Sequence, residues 1–203
     1  MLSGRSDLGR KFLLQLTGFF FMDKTRTSRW PQIVARVAAE YRTLPDSEKN
    51  WIGVRLDRIE ELQRQLQQLF DGADGVQSCR DCAGECCSQG HNHMTLVNLL
   101  GFIREDRVPP TADFSQTCPF LGPSGCLLAV AQRPYNCISF VCDRIETELS
   151  AAELERFYAL EAQLRALYFE FAQRYLGAAM TGLLLQEQRL DGRSFFSVKR
   201  TSA

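Results

Sequence analysis

Cysteine is missing from the first 78 residues and from everything after position 142, and histidine occurs only twice, as His91 and His93. Two histidines give no defensible Ser/His/Asp arrangement, and there is neither a Gly-rich phosphate loop nor a basic stripe interleaved with aromatics. Net charge is missing too. Lys plus Arg equals Asp plus Glu at 24 each, so no overall field draws the chain toward nucleic acid or an anionic membrane. Long apolar runs are also lacking. The stretch from Phe12 to Met22 is broken by Gln15 and Thr17 and falls short of the roughly 20 residues that span a bilayer. It follows Arg5, Arg10 and Lys11 as a signal sequence would, but runs into Asp23-Lys24-Thr25-Arg26 without a small-x-small cleavage site. The expectation is a cytoplasmic protein with no membrane span and no nucleic-acid partner. Met22, which opens onto a polar linker, is an alternative start to Met1.

What is present is an ordinary globular composition, 45% hydrophobic and 24% charged, in a chain long enough for one well-packed domain or a small domain with a helical appendage. Pro31 suits a first helical turn, and Ile33, Val34, Val37, Ala38 and Tyr41 recur at helical spacing until Pro45. From Asp46, an eligible N-cap, Ile52, Leu56, Ile59, Leu62, Leu66 and Leu69 form one apolar stripe that ends at Gly72. A turn-rich stretch, 71–75, follows. A shorter helix is expected around Leu96 to Arg104. Ser150 with Glu153 reads as a capping box, after which Leu154, Phe157, Leu160, Leu164, Leu167, Phe171 and Tyr175 carry a helix to Gly177. The tail reads either as a hairpin about Asp191-Gly192 or as a helix over 183–190. The fold class is therefore mainly α, with long amphipathic helices packed on a small irregular cysteine-rich metal-binding module. The expected divisions are an N-terminal helical arm (1–75), the module (76–145), and a C-terminal helix and tail (146–203) packed with the arm as one domain.

All eight cysteines lie between Cys79 and Cys142, and a reducing cytosol turns such clustering toward metal binding or redox chemistry. Cys79-Arg-Asp-Cys82 has a chelating spacing, and Gly84 loosens the backbone for a further contact. Cys86 and Cys87 are adjacent, so in an extended chain their thiols point apart and serve different roles. Cys118 precedes Pro119, Cys126 follows Gly125, Arg133-Pro134 leads to Cys137, and Cys142 closes the set. Eight thiolates fit two zinc sites, one four-iron cluster with spare thiols, or one site plus a disulfide. The radical-enzyme order C-x3-C-x2-C is absent. Segments between 78 and 143 are short and are expected to bury little apolar surface, leaving the metal to act as their core. If 91–93 is extended, His91 and His93 share a side as an auxiliary metal or substrate site; a surface loop is the alternative. Arg80 and Arg133 are candidates to offset thiolate charge.

The order C-x2-C-x3-CC, then Cys118-Pro119-Phe120-Leu121, Gly125-Cys126, Arg133-Pro134-Tyr135-Asn136-Cys137 and Cys142 resembles the bacterial cysteine-cluster family of zinc- or iron-chelating domain proteins. It covers about a third of the chain. The same cluster is similar to that of flagellin lysine N-methylase, which implies an iron–sulfur centre. Here Gly84 follows Ala83 rather than preceding the vicinal pair directly after a cysteine, and Ile138 stands where a basic residue is common. Three functional readings follow: an accessory or structural metal protein holding zinc or an iron–sulfur cluster, an iron–sulfur enzyme of methyl-transfer or redox type, and a zinc-stabilised module for a protein partner.

Overall fold

The computed structural model describes residues 7–82, 90–123 and 125–199, with side chains from residue 25 onward. The chain is mainly helical, and its longest elements are α1 (Asp7–Arg42), α2 (Asp46–Gly72) and α7 (Ala151–Arg174). Pro31 does not open α1 but lies inside it. A proline there lacks one backbone donor, yet its fixed φ is helical, and the turns on both sides carry the helix through. Trp30, Ile33 and Val37 bury one face of α1. No helix among the described residues is long and apolar enough to cross a membrane.

The stripe read from sequence on α2 is the buried one: Ile52, Leu56, Ile59, Leu62, Leu66 and Leu69, with Gln63 among them. Asp46 is the first helical residue rather than the cap. Pro45 holds that place, while Asp46 and Glu48 put negative charge at the positive end of the helix dipole. The stripe packs on Phe157, Leu160, Leu164, Tyr168 and Phe171 of α7. At the end of this pair the Trp51 and Phe171 rings meet edge to face at 5.0 Å, and the Arg55 guanidinium stacks 3.9 Å above Trp51. Glu48 accepts hydrogen bonds from Arg174 and Tyr175, which hold its carboxyl below the usual range.

Ser150 caps α7 as expected, accepting from the Glu153 backbone N–H at 3.3 Å while Glu153 accepts from the Ser150 N–H at 2.9 Å. The helix ends three residues earlier than its periodicity suggests. Tyr175 turns extended (φ −115°, ψ 138°) and bridges to Val198, because the returning tail supplies better partners than another turn does. Leu176 and Gly177 donate to the carbonyls of Ser197 and Phe195 at 2.8 and 2.9 Å. Of the two readings of the tail, the helical one is found: α8 spans Leu183–Leu190, and Asp191 (φ 48°) and Gly192 (φ 81°) end it in left-handed conformations.

The central segment holds α3 (Gly75–Asp81), α4 (Leu96–Arg104), a two-residue hairpin β1 (Leu121–Gly122) with β2 (Gly125–Cys126), α5 (Tyr135–Ser139) and α6 (Asp143–Glu146). The expectation that this segment buries little apolar surface is wrong. Met94, Leu96, Leu99, Leu100, Phe102, Phe114, Phe120, Leu128 and Ile138 all enter the same core as the long helices. The cause is α4, whose sequence Leu-Val-Asn-Leu-Leu-Gly-Phe-Ile-Arg is apolar almost all round, the pattern of a helix enclosed by its neighbours.

Candidate metal centre

The cysteines are carried by the ends and edges of the short elements. Cys79 lies in the last turn of α3, and Cys82 caps it, donating its S–H to the Cys79 carbonyl at 3.5 Å. Cys142 immediately precedes α6. Arg144 of α6 donates to Asp81 of α3 at 3.0 Å, which ties these two thiol-bearing ends together. The Asp81 carboxyl is held low first by the Gln77 side-chain amide and then by Arg144. Cys86 and Cys87 lie outside the described residues.

Cys118 precedes the hairpin and Cys126 lies in its second strand. The Leu121 N–H donates to the Cys118 carbonyl at 3.1 Å, and Leu121 pairs with Cys126. Cys118 is buried and Cys126 exposed. Burial pushes the Cys118 thiol up, the Phe120 backbone N–H opposes this and the neighbouring Cys126 adds to it. Gly90 seats the chain directly against it: a Cβ at position 90 would come 2.9 Å from Cys118 Sγ. Cys82, Cys118, Cys126 and Cys142 are free thiols.

Cys137 lies in α5, exposed, with the Nδ1 of His93 3.4 Å from its sulfur. His93 is half-buried, and desolvation lowers its pKa, which favours the neutral imidazole that can act as a ligand. The two histidines do not share a side. Residues 90–92 form a 3-10 turn rather than an extended strand, which separates the rings. His91 instead accepts from Arg26 at 2.6 Å through Nδ1 and donates to the Gln116 carbonyl at 2.5 Å through Nε2. Arg133, a candidate to offset thiolate charge, is engaged elsewhere, donating to Gln67 at 2.7 Å; Arg80 is exposed on α3.

Beneath the Arg133 to Cys137 turn lies a buried polar network that the sequence patterns did not single out. Gln63 of α2 and Asn98 of α4 both donate to the Arg133 carbonyl, at 2.7 and 2.9 Å, and Asn98 also donates to the Tyr168 hydroxyl at 2.8 Å. Tyr135 donates to Glu161, and burial together with that bond pushes its hydroxyl up to about 12. Buried amides cost free energy unless fully bonded, so a network of this kind serves to fix backbone rather than to add stability. The signal for it was available: Gln63 interrupts the neighbourhood of an apolar stripe, and Asn98 is the one polar residue in the apolar stretch 96–103.

The donor set, soft thiols with one neutral imidazole, is of the type that suits zinc or iron–sulfur chemistry. Among the described residues His93 and Cys137 meet as a pair, and no three His, Cys, Asp or Glu side chains converge as a set that could hold a metal ion. A groove of about 760 Å³, lined by Trp30, Val34, Tyr41, Ile103, Arg107 and Pro109 among others, contains none of the cysteines. No family model, no curated protein and no solved structure matches the chain.

Proposed function

We propose that this is a metal-binding protein that holds zinc or an iron–sulfur cluster through its clustered cysteines, in an accessory or structural role within the cytoplasm. The observation that carries the reading is where the thiols lie. Unreactive cysteine behaves as a small hydrophobe and is among the most buried of residues. Here only Cys118 of the six described cysteines is buried, while Cys126 and Cys137 are exposed and Cys79, Cys82 and Cys142 are intermediate. Packing therefore does not account for their number or position, and the ordered sequence pattern of all eight, Cys86 and Cys87 included, supplies the alternative. Bound there, zinc would supply a closed fixing point for the loops, and a cluster would supply electron transfer.

The test is metal and acid-labile sulfide content, with a visible spectrum, on full-length protein purified without oxygen. Iron with stoichiometric sulfide and a broad visible band identifies a cluster; zinc without sulfide identifies a structural site. Protein that carries neither metal, and that binds neither on anaerobic reconstitution with its thiols reduced, overturns the reading.

A further inference from the structure

We infer that His93 is a ligand of the metal centre, donating Nδ1 to the ion that Cys137 also binds, so that the site is of mixed nitrogen and sulfur type rather than all-thiolate. The inference rests on the proposed metal-binding reading and goes beyond it in naming a nitrogen donor. Its first support is a distance. Zinc–sulfur and zinc–nitrogen bonds of about 2.3 and 2.0–2.1 Å, set at a tetrahedral angle, place the two donors about 3.6 Å apart. His93 Nδ1 and Cys137 Sγ are 3.4 Å apart, so an ion can enter between them with a movement of a few tenths of an ångström.

The second support is that the backbone next to each donor is held by contacts that do not involve the other donor. On the Cys137 side, the Arg133 carbonyl receives both buried amides, Gln63 at 2.7 Å and Asn98 at 2.9 Å, and the Ser139 hydroxyl donates to the Tyr135 carbonyl at 2.8 Å. On the His93 side, the Leu183 N–H donates to the Met94 carbonyl at 2.8 Å, and Gly182 lies so close that a Cβ would come 2.3 Å from the Asn92 carbonyl oxygen. Asn98 belongs to both sides, since its Oδ1 accepts from the Thr95 N–H at 3.1 Å, two residues beyond His93. Donors carried on backbone that is anchored in this way keep their relative placement before an ion arrives, as a metal site requires. On binding, Cys137 releases its thiol proton to solvent, and His93 coordinates as the neutral imidazole with its proton on Nε2.

X-ray absorption at the metal edge decides the matter on the full chain, loaded anaerobically with the metal found above. For zinc, the wild type is expected to show one nitrogen neighbour near about 2.0–2.1 Å with outer imidazole scattering beside sulfur near about 2.3 Å. For a cluster, the equivalent signature is a ¹⁵N-histidine hyperfine coupling in the paramagnetic form. His93→Ala loses the nitrogen signature, His91→Ala keeps it, and His93→Cys restores a full complement of donors with sulfur in place of nitrogen. An all-sulfur shell in the wild type overturns the inference and leaves the metal-binding reading intact, as does a nitrogen signal that survives in His93→Ala. Failure of the wild type to bind any metal overturns both.

Discussion

Replacing Asn98 by alanine tests whether the buried network is the frame of the candidate site. Asn98 is 4% exposed and makes four hydrogen bonds: its amide donates to the Arg133 carbonyl and the Tyr168 hydroxyl, and its oxygen accepts from the Thr95 N–H and hydroxyl. The Arg133 carbonyl keeps Gln63, so its loss is partial. The Tyr168 hydroxyl, on a ring that is 1% exposed, loses the amide that solvates it, which costs about 1–3 kcal/mol for a stranded buried group. Loss of the reciprocal bond with Thr95 at the start of α4 adds about 1 kcal/mol, as for other lost caps. The expected destabilisation is about 3 kcal/mol, which in a chain of this size lowers the melting temperature by about 6–12 °C. The assay is thermal and urea unfolding of the full chain at fixed metal loading, as a double-mutant cycle with Tyr168→Phe. Removing the hydroxyl removes the stranded group, so the double variant is expected to be more stable than the sum of the singles implies by about 1 kcal/mol or more. An Asn98→Ala variant within about 0.5 kcal/mol of the parent, or strictly additive effects, refutes the reasoning.

Ser150→Ala removes the capping box of α7 and is expected to cost about 1 kcal/mol in urea unfolding, with little change in metal content. Gly182→Ala sets a methyl 2.3 Å from the Asn92 carbonyl oxygen and forces backbone to move; a loss of about 1–3 kcal/mol is expected, checked by thermal unfolding. Glu48 is held below its ordinary pKa by Arg174 and then Tyr175, so its contribution is present above the unfolded value of 4.5 and is lost as pH falls through the lower folded value. Glu48→Gln should therefore flatten the acid limb of the stability profile between 4.5 and the lower folded value and leave its shape near neutrality unchanged. On the proposed metal-binding reading, chelation is expected to lower the melting temperature while far-ultraviolet circular dichroism keeps most of its helical signal, since the core residues of α2 and α7 do not depend on the thiols.

The long helices were legible because burial and periodicity agree along them. Every apolar residue of the α2 stripe is buried, and Ser150 with Glu153 marks the start of α7 by a bond that a sequence can specify locally. Boundaries failed where tertiary partners override local pattern. Tyr175 continues the helical spacing, but pairing with the returning tail draws it into an extended conformation. Pro31 looks like a start because the preferences of proline are local, whereas the helix that contains it is set by residues on both sides. At the candidate site the sequence supplied the donor types and their order but not their grouping. His91 and His93 illustrate why: a spacing of two places rings together only in an extended chain, and here a tight turn sends one toward Arg26 and the other toward Cys137. The Asn98 and Gln63 network was less legible still, since a single amide on an apolar face acquires meaning only when its acceptor, 35 or 70 residues away, is known.

The position of the thiols relative to the core constrains what a bound metal can do for this fold. Small metal-dependent modules lack a core and fold only when the ion supplies one. This central segment does not lack a core: Phe102, Phe114, Phe120 and Leu128 are buried among residues of the long helices, and Cys118 alone of the described thiols joins them. A metal here would therefore fix short elements, at the ends of α3 and α6 where Cys79, Cys82 and Cys142 sit and within α5 at Cys137, rather than create the fold. On the proposed reading, metal loading and folding are separable steps. A chain that folds first can present a partly open donor set at its surface, and that suits an accessory protein that acquires a metal or cluster more than it suits a scaffold that cannot exist without one.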